Sequence, residues 1–458
     1  MSRANKYALL GSSIIFCASC SFLEIDVPRT EIVSEAVFND DATAESALMG
    51  IYASMVQNGI ADGRVNSLGV INGLYADELQ SHLVYLDDFF NNSLSPDNTY
   101  LTSGLWGQSY KMIYSINLAL EGLESSSSIA EPLKRQLMGE ARFLRAFFYF
   151  NMLNLFENIP LVLDSDYRVN QSIEQTNPEK VYAQIIEDLT FAESWLEPNY
   201  NWSTNERVRP NQWAAKALMA RVRLYTENWT EAIKEASAVI GNVEMFGLED
   251  ISNVFQKESK EAIWQLKPTE PGRNTWEATF FIPAGNTTTP TTVSILPSFA
   301  TAFEQGDMRK VMWMESVEIG DQLFFYPFKY KVKDYGEPLA EYQIVLRLAE
   351  LILIRAEANI RIGNIGDALT DVNAIRLRAG LPALELTSGD EVLKVIREER
   401  RFELFAEWGH RFFDLKRWVL SNEVLAKIKP NWKVASNLFP IPYNELQRNR
   451  KLFQNPGY

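Results

Sequence analysis

The sequence predicts an all-α fold, in which a scaffold of paired helices carries a loop-rich insertion with short β-hairpins. Three observations support this prediction. Amphipathic helical spacing recurs along most of the 458 residues. One helix–turn–helix pattern occurs twice, at 217–240 and 351–375. Between the two copies, residues 241–345 lose the helical period and are enriched in residues that favour loops.

The helices of the first half are predicted from apolar side chains spaced three and four residues apart. They are expected near 44–55, 105–123, 137–155 and 178–196. The third carries apolar side chains on nearly every side, which is typical of a helix buried in the core. The fourth begins at Pro178, which a first helical turn tolerates because the missing N–H would have no partner there.

The two copies of the repeat align without gaps. The matched positions are Ala220 with Ala356, Asn228 with Asn364, and Ala232 with Ala368. Small residues at such positions let two antiparallel helices approach closely, as in a tetratricopeptide repeat. Two unrelated helical hairpins are the alternative. Because a stable solenoid needs more than two copies, we expect degenerate copies among the earlier helices.

The insertion is predicted to hold the ligand. Residues 280–299 are rich in Pro, Thr, Gly and Asn, whereas 261–266 and 322–332 have the character of short strands. Binding sites commonly lie on long irregular segments that rigid elements support. The body of the protein, 20–458, therefore divides into an N-terminal helical part, a ligand-binding insertion, and a C-terminal helical unit with its closing segment (44–240, 241–345 and 346–458).

The N-terminus has the features of a secretory signal. A positively charged start precedes an apolar run that is too short to span a bilayer, and small residues follow it. Cys20 directly after Ala18 and Ser19 resembles a bacterial lipobox, although Cys17 stands where Leu is common. This predicts a signal peptide at 1–19 and lipidation of Cys20, and stable anchoring would take more than one acyl chain. An ordinary cleaved signal that releases a soluble protein is the alternative.

Composition argues against several classes of function. The net charge of −15 disfavours nucleic acid and anionic membrane surfaces as partners, and it suits a neutral polysaccharide better than a polyanion. The two histidines, His82 and His410, lie far apart in sequence, which disfavours a His-based triad or a multi-His metal site. Both cysteines lie at the extreme N-terminus, and no Gly-rich phosphate loop is present. We therefore expect no cofactor and no metal in the binding site. A structural Ca²⁺ stays open as an alternative, although the sequence has no EF-hand spacing.

An enzyme is not supported by the acidic residues. Adjacent carboxylates such as Asp87 and Asp88 do not face one another, whereas a glycosidase needs two carboxylates across its substrate bond. In a chain with 59 acidic residues, such neighbours are typical of solvated surface. Carboxylates paired from distant positions stay open as an alternative.

Aromatic residues in the weakly periodic stretches are the candidate ligand contacts. An exposed ring offers a rigid apolar face to the C–H groups of a sugar, whose hydroxyls seek polar side chains. We predict stacking on Trp276 and Trp313, with Tyr85 or Phe89 as a second platform. The predicted polar contacts are Arg273, Asn274, Asn92 and Asp77. For any single ring, ordinary packing is the alternative.

Four blocks of the chain resemble the SusD/RagB family of outer-membrane lipoproteins of Bacteroidetes. They are GEARFLRAFFYFNMLNLFENIPLV (139–162), a block at 347–382 that begins RLAELILIRAEANIRIG, IREERRFELFAEWGHRFFDLKRW (396–418), and the C-terminal LFPIPYNELQRNRKLFQNPGY. The blocks occur in order over nearly the whole chain, after the signal and Cys20.

The resemblance implies a SusD-like helical fold with four tetratricopeptide-like units, anchored by lipid at the outer face of the outer membrane. It implies a SusC-like TonB-dependent β-barrel transporter as partner. The implied role is non-catalytic: binding an oligosaccharide or polysaccharide, or peptides in some members, for import. No binding residue is carried over, because the family's ligand residues lie in variable loops.

Two other functions are alternatives to a glycan-binding lipoprotein. A helical-repeat adaptor that binds only protein is the hypothesis from a different class, because tetratricopeptide-type surfaces commonly do this. A secreted glycosidase ranks third.

Residues 428–458 are expected to close the scaffold and not to contact the ligand, because their prolines lower the entropy lost on ordering and their aromatics can pack on the helices.

Overall fold

The computed structural model describes residues 37–285, 290 and 292–458 and shows a helical scaffold with short strands. The predicted signal peptide and the lipidation site Cys20 lie outside the described residues. Within the described ranges, no helix combines the length and the apolar composition needed to cross a membrane.

The elements follow one another in this order. The helices are α1 (Asp41–Gln57), α2 (Leu68–Tyr75), α3 (Asp87–Phe90), α4 (Gln108–Ser125), α5 (Glu131–Phe156), α6 (Tyr167–Asn170), α7 (Pro178–Trp195), α8 (Gln212–Tyr225), α9 (Trp229–Ile240), α10 (Trp276–Phe281), α11 (Pro297–Ala300), α12 (Met308–Trp313), α13 (Leu348–Arg361), α14 (Ile365–Arg378), α15 (Gly389–Glu403), α16 (His410–Arg417), α17 (Ser421–Leu425) and α18 (Tyr443–Arg448). The strands are β1 (Leu79–Ser81), β2 (Ile159–Pro160), β3 (Gln175–Thr176), β4 (Ala262–Leu266), β5 (Val293–Ile295), β6 (Met314–Ile319), β7 (Gln322–Pro327) and β8 (Gln343–Arg347). A π-helix, Tyr100–Gly107, leads directly into α4.

The central helix is α5, which the apolar pattern predicts to be buried. Phe143 and Phe147 are fully buried and meet the Trp264 ring of β4 edge-on, with centroids 4.9 and 5.6 Å away. Burying each such side chain contributes roughly 1.5–3 kcal/mol to folding. The helix ends at Glu157, whose φ of +66° leaves the helical region. The burial of α5 confirms the sequence prediction, and its contacts with Trp264 join the helical scaffold to the insertion.

The internal repeat is confirmed in its local geometry. The pairs α8–α9 and α13–α14 turn at Asn228 and Asn364, whose backbones are nearly identical, with φ −86° and ψ 73° against φ −83° and ψ 70°. Each of these N–H groups donates to the carbonyl five residues earlier at 2.9 Å. All four matched alanines are fully buried, and α9 packs against α13. The two helix pairs therefore stack as neighbouring units of one scaffold.

The short strands bring distant parts of the chain together. One sheet has the order β1-β5-β7-β6 and is antiparallel throughout, so a strand of the N-terminal half is paired with the insertion. The predicted strands appear as β4 and β7, although the second ends at Pro327 and not at 332. β4 pairs with β8, which leads into α13. These pairings position the candidate site.

A buried ionic cluster ties the insertion to the C-terminal helices. Arg347 donates from Nη1 to Glu403 Oε1 at 2.6 Å and to Glu261 Oε1 at 2.8 Å. Its Nε donates to Glu407 Oε2 at 2.9 Å. Arg309, also buried, lies 3.3 Å from Glu403. Since buried charges are tolerated when they are paired and hydrogen-bonded, this cluster depends on every partner being present.

The C-terminal tail is packed onto the scaffold. Phe439 is fully buried against Tyr75 and Phe412, with ring centroids 4.8 and 6.0 Å away. The side-chain amide of Asn455 donates to the carbonyls of Phe156 at 3.0 Å and Phe439 at 2.7 Å. These bonds satisfy the carbonyl at the end of the central helix, which has no intrahelical partner.

Candidate functional site

The candidate ligand contacts predicted from the sequence fall in two loop stretches, 75–100 and 271–315, and strands of both stretches meet in the four-stranded sheet. Leu79 of β1 is paired with Ile295 of β5, and Ile295 with Phe325 of β7. Paired residues share a face, and this face packs on the core. The opposite face carries the next residues along each strand. We call it the sheet surface and define it by Gln80, His82, Ser294 and Phe324.

Hydrogen bonds fix the polar half of the sheet surface. Gln80 Nε2 donates to Ser294 Oγ at 2.8 Å, and His82 Nε2 lies 2.8 Å from the same oxygen. Burial lowers the pKa of His82 below its usual value, so the ring is neutral near pH 7. The Ser294 hydroxyl can then donate to the unprotonated His82 nitrogen. Ser294 itself is buried and holds these two side chains in place, so the surface offers the neutral, partly exposed Gln80 and His82.

Aromatic rings make up the other half of the site. The Phe324 ring lies 5.4 Å from the His82 ring and nearly perpendicular to it. Three residues after His82, Tyr85 lies in the 3₁₀ turn Val84–Leu86, and it is 47% exposed. Its ring meets the Tyr100 ring at 5.5 Å with an angle of 32° between the planes. The prediction that Tyr85 is a surface platform is thus compatible with its position.

Trp276 and Arg273 lie together, as their proximity in sequence suggests. Thr275 caps α10 by accepting from the Ala278 N–H at 3.2 Å, and this places Trp276 in the first turn. The Arg273 guanidinium carbon lies 3.8 Å from the centre of the Trp276 ring, and that of Arg64 lies 4.3 Å from it. Such cation–π contacts contribute about 0.5–2 kcal/mol each. A sugar stacking on Trp276 must share or displace these cations.

Two aromatic predictions are wrong because the rings are in the core. Trp313 is 1% exposed, and its indole N–H donates to the Ile251 carbonyl at 2.9 Å. Phe89 is fully buried, with Phe439 at 6.2 Å. Apolar burial stabilises both rings where they are, so neither can meet a ligand at the surface.

Three polar predictions are corrected for a different reason, since each side chain is buried and used internally. Asn274 Oδ1 accepts from the Ala340 and Glu341 N–H groups at 2.7 and 2.9 Å and fixes that loop. Asn92 Nδ2 donates to the Tyr75 carbonyl at 3.0 Å. The Asp77 carboxylate accepts two hydrogen bonds from the Arg411 guanidinium, at 2.7 and 2.8 Å. These contacts hold loops and helices in place, and all three side chains are buried.

The charge state of Asp77 supports this structural role. Burial opposes the ionised form, but Arg411 and Arg401 outweigh it and hold the pKa of Asp77 below its usual value. The carboxylate is therefore ionised and engaged by cations of its own chain. It has no free donor or acceptor to offer to a sugar.

Sequence reasoning missed His82 and Phe324. β1 has only three residues, too few for a strand pattern to be recognised. Phe324 could have been found from the sequence. Side chains alternate between the two faces of a strand, so in 322–327 Phe324 and Phe325 must lie on opposite faces, and one of them must point away from the core.

Glu277, next to Trp276, gives the region a pH dependence. Burial raises the pKa of its carboxyl to about 8, with Asp62 and Glu341 adding to the rise. The folded-state pKa is above the ordinary value, so the stability that protonated Glu277 contributes is present at low pH and is lost as pH rises toward 8. The backbone of Gly63 lies against this carboxylate: any side chain at position 63 would place its Cβ only 2.5 Å from Glu277 Oε2.

We expect Glu277→Gln to match the wild type in stability at pH 5 and to be more stable at pH 9, because the amide cannot ionise. Urea unfolding followed by circular dichroism at both pH values measures this. If the free energies of unfolding of Glu277→Gln and the wild type differed by the same amount at pH 5 and pH 9, the pH dependence could not be assigned to Glu277.

Two family models match the chain. The model described as "SusD family" matches residues 324–437, and the model described as "Starch-binding associating with outer membrane" matches residues 27–224. Together they cover the N-terminal helices and the C-terminal repeat, and part of the insertion.

Individual proteins are similar over nearly the full length. "SusD-like protein P25" of Formosa agariphila is 25% identical over 97% of this chain and 98% of that protein. A solved SusD homologue from Bacteroides thetaiotaomicron has a TM-score of 0.80 at 20% identity, covering 94% of this chain and 99% of that one. A solved "Laminarin binding SusD-like protein" has a TM-score of 0.75 at 24% identity, covering 91% and 99%. The two structures show a shared fold. With both family models and a full-length relative in agreement, the chain belongs to the SusD/RagB family.

Proposed function

We propose that the protein is a non-catalytic glycan-binding lipoprotein of the cell surface. It captures an oligosaccharide or polysaccharide and delivers it to a SusC-like TonB-dependent outer-membrane transporter. The observation that carries the proposal is the sheet surface, where the Phe324 ring meets neutral His82 on the face that also carries Gln80. The exposed Tyr85 follows His82 by three residues, and its ring meets that of Tyr100. The starch-binding description of one matching family model and the name of the laminarin-binding neighbour support a glycan as ligand.

The chemistry of the site favours a neutral glycan. Gln80, neutral His82 and the tyrosine hydroxyls offer donors and acceptors without a net charge. A polyanion would also meet a protein with a net charge of −15. The rings supply apolar area with little conformational entropy to lose on binding.

Binding to a panel of ligands tests the proposal. Affinity electrophoresis would compare neutral polysaccharides such as laminarin, starch and xylan with polyanionic alginate, and calorimetry would test soluble peptides. We expect at least one neutral glycan to bind and no turnover of it. Binding of peptides alone would favour the peptide-binding alternative, and binding of neither class would favour a helical-repeat adaptor.

Trp276→Ala tests the second part of the site. We expect roughly five- to thirtyfold weaker binding of the glycan, equivalent to about 1–2 kcal/mol, because the truncation removes an apolar face on which a sugar could stack. Calorimetric titration measures this. Trp229→Ala is the matched control, since Trp229 in α9 is also partly buried and also lies under a guanidinium, that of Arg361 at 5.5 Å. Unchanged affinity for Trp276→Ala would remove this residue from the site.

The lipid anchor is a proposal that rests on the sequence before residue 37. We expect Cys20→Ser to abolish incorporation of labelled palmitate and to move the protein out of the membrane fraction, because the acylated thiol would be missing. Cys17→Ser is the matched control and should be labelled like the wild type. Labelling that persists in Cys20→Ser would contradict the anchor.

Delivery to a transporter is a separate claim. The family model's association with the outer membrane supports it. A TonB-dependent β-barrel protein should co-purify with the tagged lipoprotein from detergent-solubilised outer membranes. Its absence would contradict delivery to such a transporter and leave the glycan-binding claim standing.

A further inference from the structure

A second aromatic cavity lies away from the sheet surface. It forms where α4, the segment 160–173 and α18 meet, and its volume is about 650 Å³. We call it the tail cleft. Ligand sites for small molecules commonly have volumes of about 300–1,000 Å³ and combine apolar walls with a few polar groups.

One wall of the tail cleft is an aromatic stripe. Trp106, Tyr110 and Tyr114 are spaced four residues apart, so they lie on one side of the helix that continues from the π-helix into α4. The first two rings are 4.9 Å apart. Exposure increases along the stripe, from 3% at Trp106 to 47% at Tyr114. The outermost ring can therefore meet a ligand, and the inner rings support it.

The opposite wall carries Tyr167 of α6, which is 72% exposed. Neither the Tyr114 nor the Tyr167 hydroxyl hydrogen-bonds to another residue in the part of the chain that the structure describes. The two hydroxyls are thus available as donors and acceptors at the mouth of the cleft. Two exposed tyrosines around one cavity resemble the chemistry of the Tyr85 and Tyr100 pair.

The charges in the tail cleft are balanced. Arg448 and Glu445 on α18 pair at 3.1 Å. The remaining polar side chains are the neutral amides Asn170, Gln171 and Asn449, together with Ser165. The amide nitrogens donate to backbone carbonyls and Ser165 donates to Glu121, so the amide oxygens are the groups that can accept from a ligand hydroxyl. A phosphate or carboxylate ligand would find its cation already paired, and a purely apolar ligand would have to cover the amides. A neutral polyhydroxylated ligand fits both the rings and the amides.

The helix connects the tail cleft to the first site. Tyr100 lies at the start of the π-helix and Tyr114 in α4, fourteen positions later. At a rise of about 1.5 Å per residue, the two tyrosines are separated by ~20 Å along the helix. A polysaccharide chain is long enough to contact both, and two linked contacts raise affinity without any new kind of interaction.

We propose that the tail cleft is a second binding site for the same neutral glycan, occupied by a part of the polysaccharide beyond the sheet surface. The inference rests on the proposed function. It also revises the expectation for the C-terminal tail, which closes the scaffold and in addition supplies one wall of a binding site through Glu445 and Arg448.

A pair of double variants tests the inference. Tyr114→Ala/Tyr167→Ala removes the exposed rings of the tail cleft, and Tyr85→Ala/Tyr100→Ala removes the tyrosine pair of the first site. Calorimetry with a short oligosaccharide from the panel should give two sites per wild-type chain and one site for each double variant. With the long polysaccharide, the tail-cleft variant should bind at least about tenfold more weakly, because two-point attachment is lost. Phe453→Ala, which removes another exposed ring of the tail, should change neither result.

The outcomes separate the two claims. If Tyr114→Ala/Tyr167→Ala keeps the wild-type stoichiometry and affinity while Tyr85→Ala/Tyr100→Ala loses binding, the tail cleft is not a glycan site and the proposed function stands. Binding of peptides alone in the tail cleft would also overturn the inference. A wild-type protein that binds no glycan would overturn both claims. Circular dichroism spectra matching the wild type would show that each variant is folded.

Discussion

Replacing Arg347 with Met is expected to lower the free energy of unfolding by about 3–5 kcal/mol, the range observed when one partner of a buried ion pair is removed. Arg347 is buried and donates to three carboxylates, those of Glu261, Glu403 and Glu407. Burial opposes ionisation of Glu403, but Arg378, Arg347 and Arg309 outweigh it and hold its pKa far below the usual value. Without Arg347, buried negative charge lacks its main counter-ion.

Urea unfolding followed by circular dichroism measures this loss. The deficit should shrink as pH falls, because the carboxylates left without a partner can take up protons. Arg168→Met is the control: Arg168 pairs with Asp166 at 2.6 Å but is exposed, so its removal should leave the unfolding midpoint unchanged. Equal midpoints for Arg347→Met and the wild type would show that the cluster does not hold the insertion to the helices.

Replacing Tyr85 and Tyr100 together with Ala is expected to weaken glycan binding by at least about thirtyfold, equivalent to about 2 kcal/mol. Tyr85 follows His82 of the sheet surface by three residues, and its ring lies 5.5 Å from the ring of the partly buried Tyr100. Because Tyr85 is half exposed, its truncation should cost little folding stability. Calorimetric titration with the best ligand of the panel measures the loss.

The matched control for this double variant is Tyr443→Ala. Tyr443 is 48% exposed, close to the 47% of Tyr85, and lies at the start of α18. It should bind like the wild type. An equal loss in Tyr443→Ala, or wild-type affinity in Tyr85→Ala/Tyr100→Ala, would show that the Tyr85 and Tyr100 rings are not the platform.

The scaffold was predictable because its signals are local. The repeat at 217–240 and 351–375 follows from residues within one helix–turn–helix, and its two turn asparagines adopt nearly the same backbone conformation. The burial of α5 follows from apolar side chains on all sides of one helix. Each of these features depends on neighbours a few positions away.

The sheet was harder to predict because its signals are not local. Leu79 pairs with Ile295, a residue more than two hundred positions later. The strand that contains Leu79 has only three residues, too few to show the alternation by which a strand is predicted. The same applies to Trp276, because its ring is approached by Arg64 from the N-terminal half of the chain. Such contacts are fixed by tertiary packing.

Loss of helical period was a poor guide to exposure. Phe89 and Trp313 lie in stretches that look like loops, yet both are buried, because Phe89 packs near Phe439 of the tail and Trp313 against Phe255. The polar candidates Asn274 and Asp77 were misjudged because their partners are invisible in the sequence: two backbone N–H groups for the first and Arg411 for the second. Buried polar groups are nearly always paired in this way.

The most direct test of the account is to locate a bound oligosaccharide in a crystal structure of the complex with the best neutral ligand of the panel. We predict sugar rings against Tyr85 and Phe324, with hydroxyls hydrogen-bonded to Gln80 or His82. An oligosaccharide bound only along the stacked helices α9, α13 and α14, with the sheet surface free, would contradict the central claim.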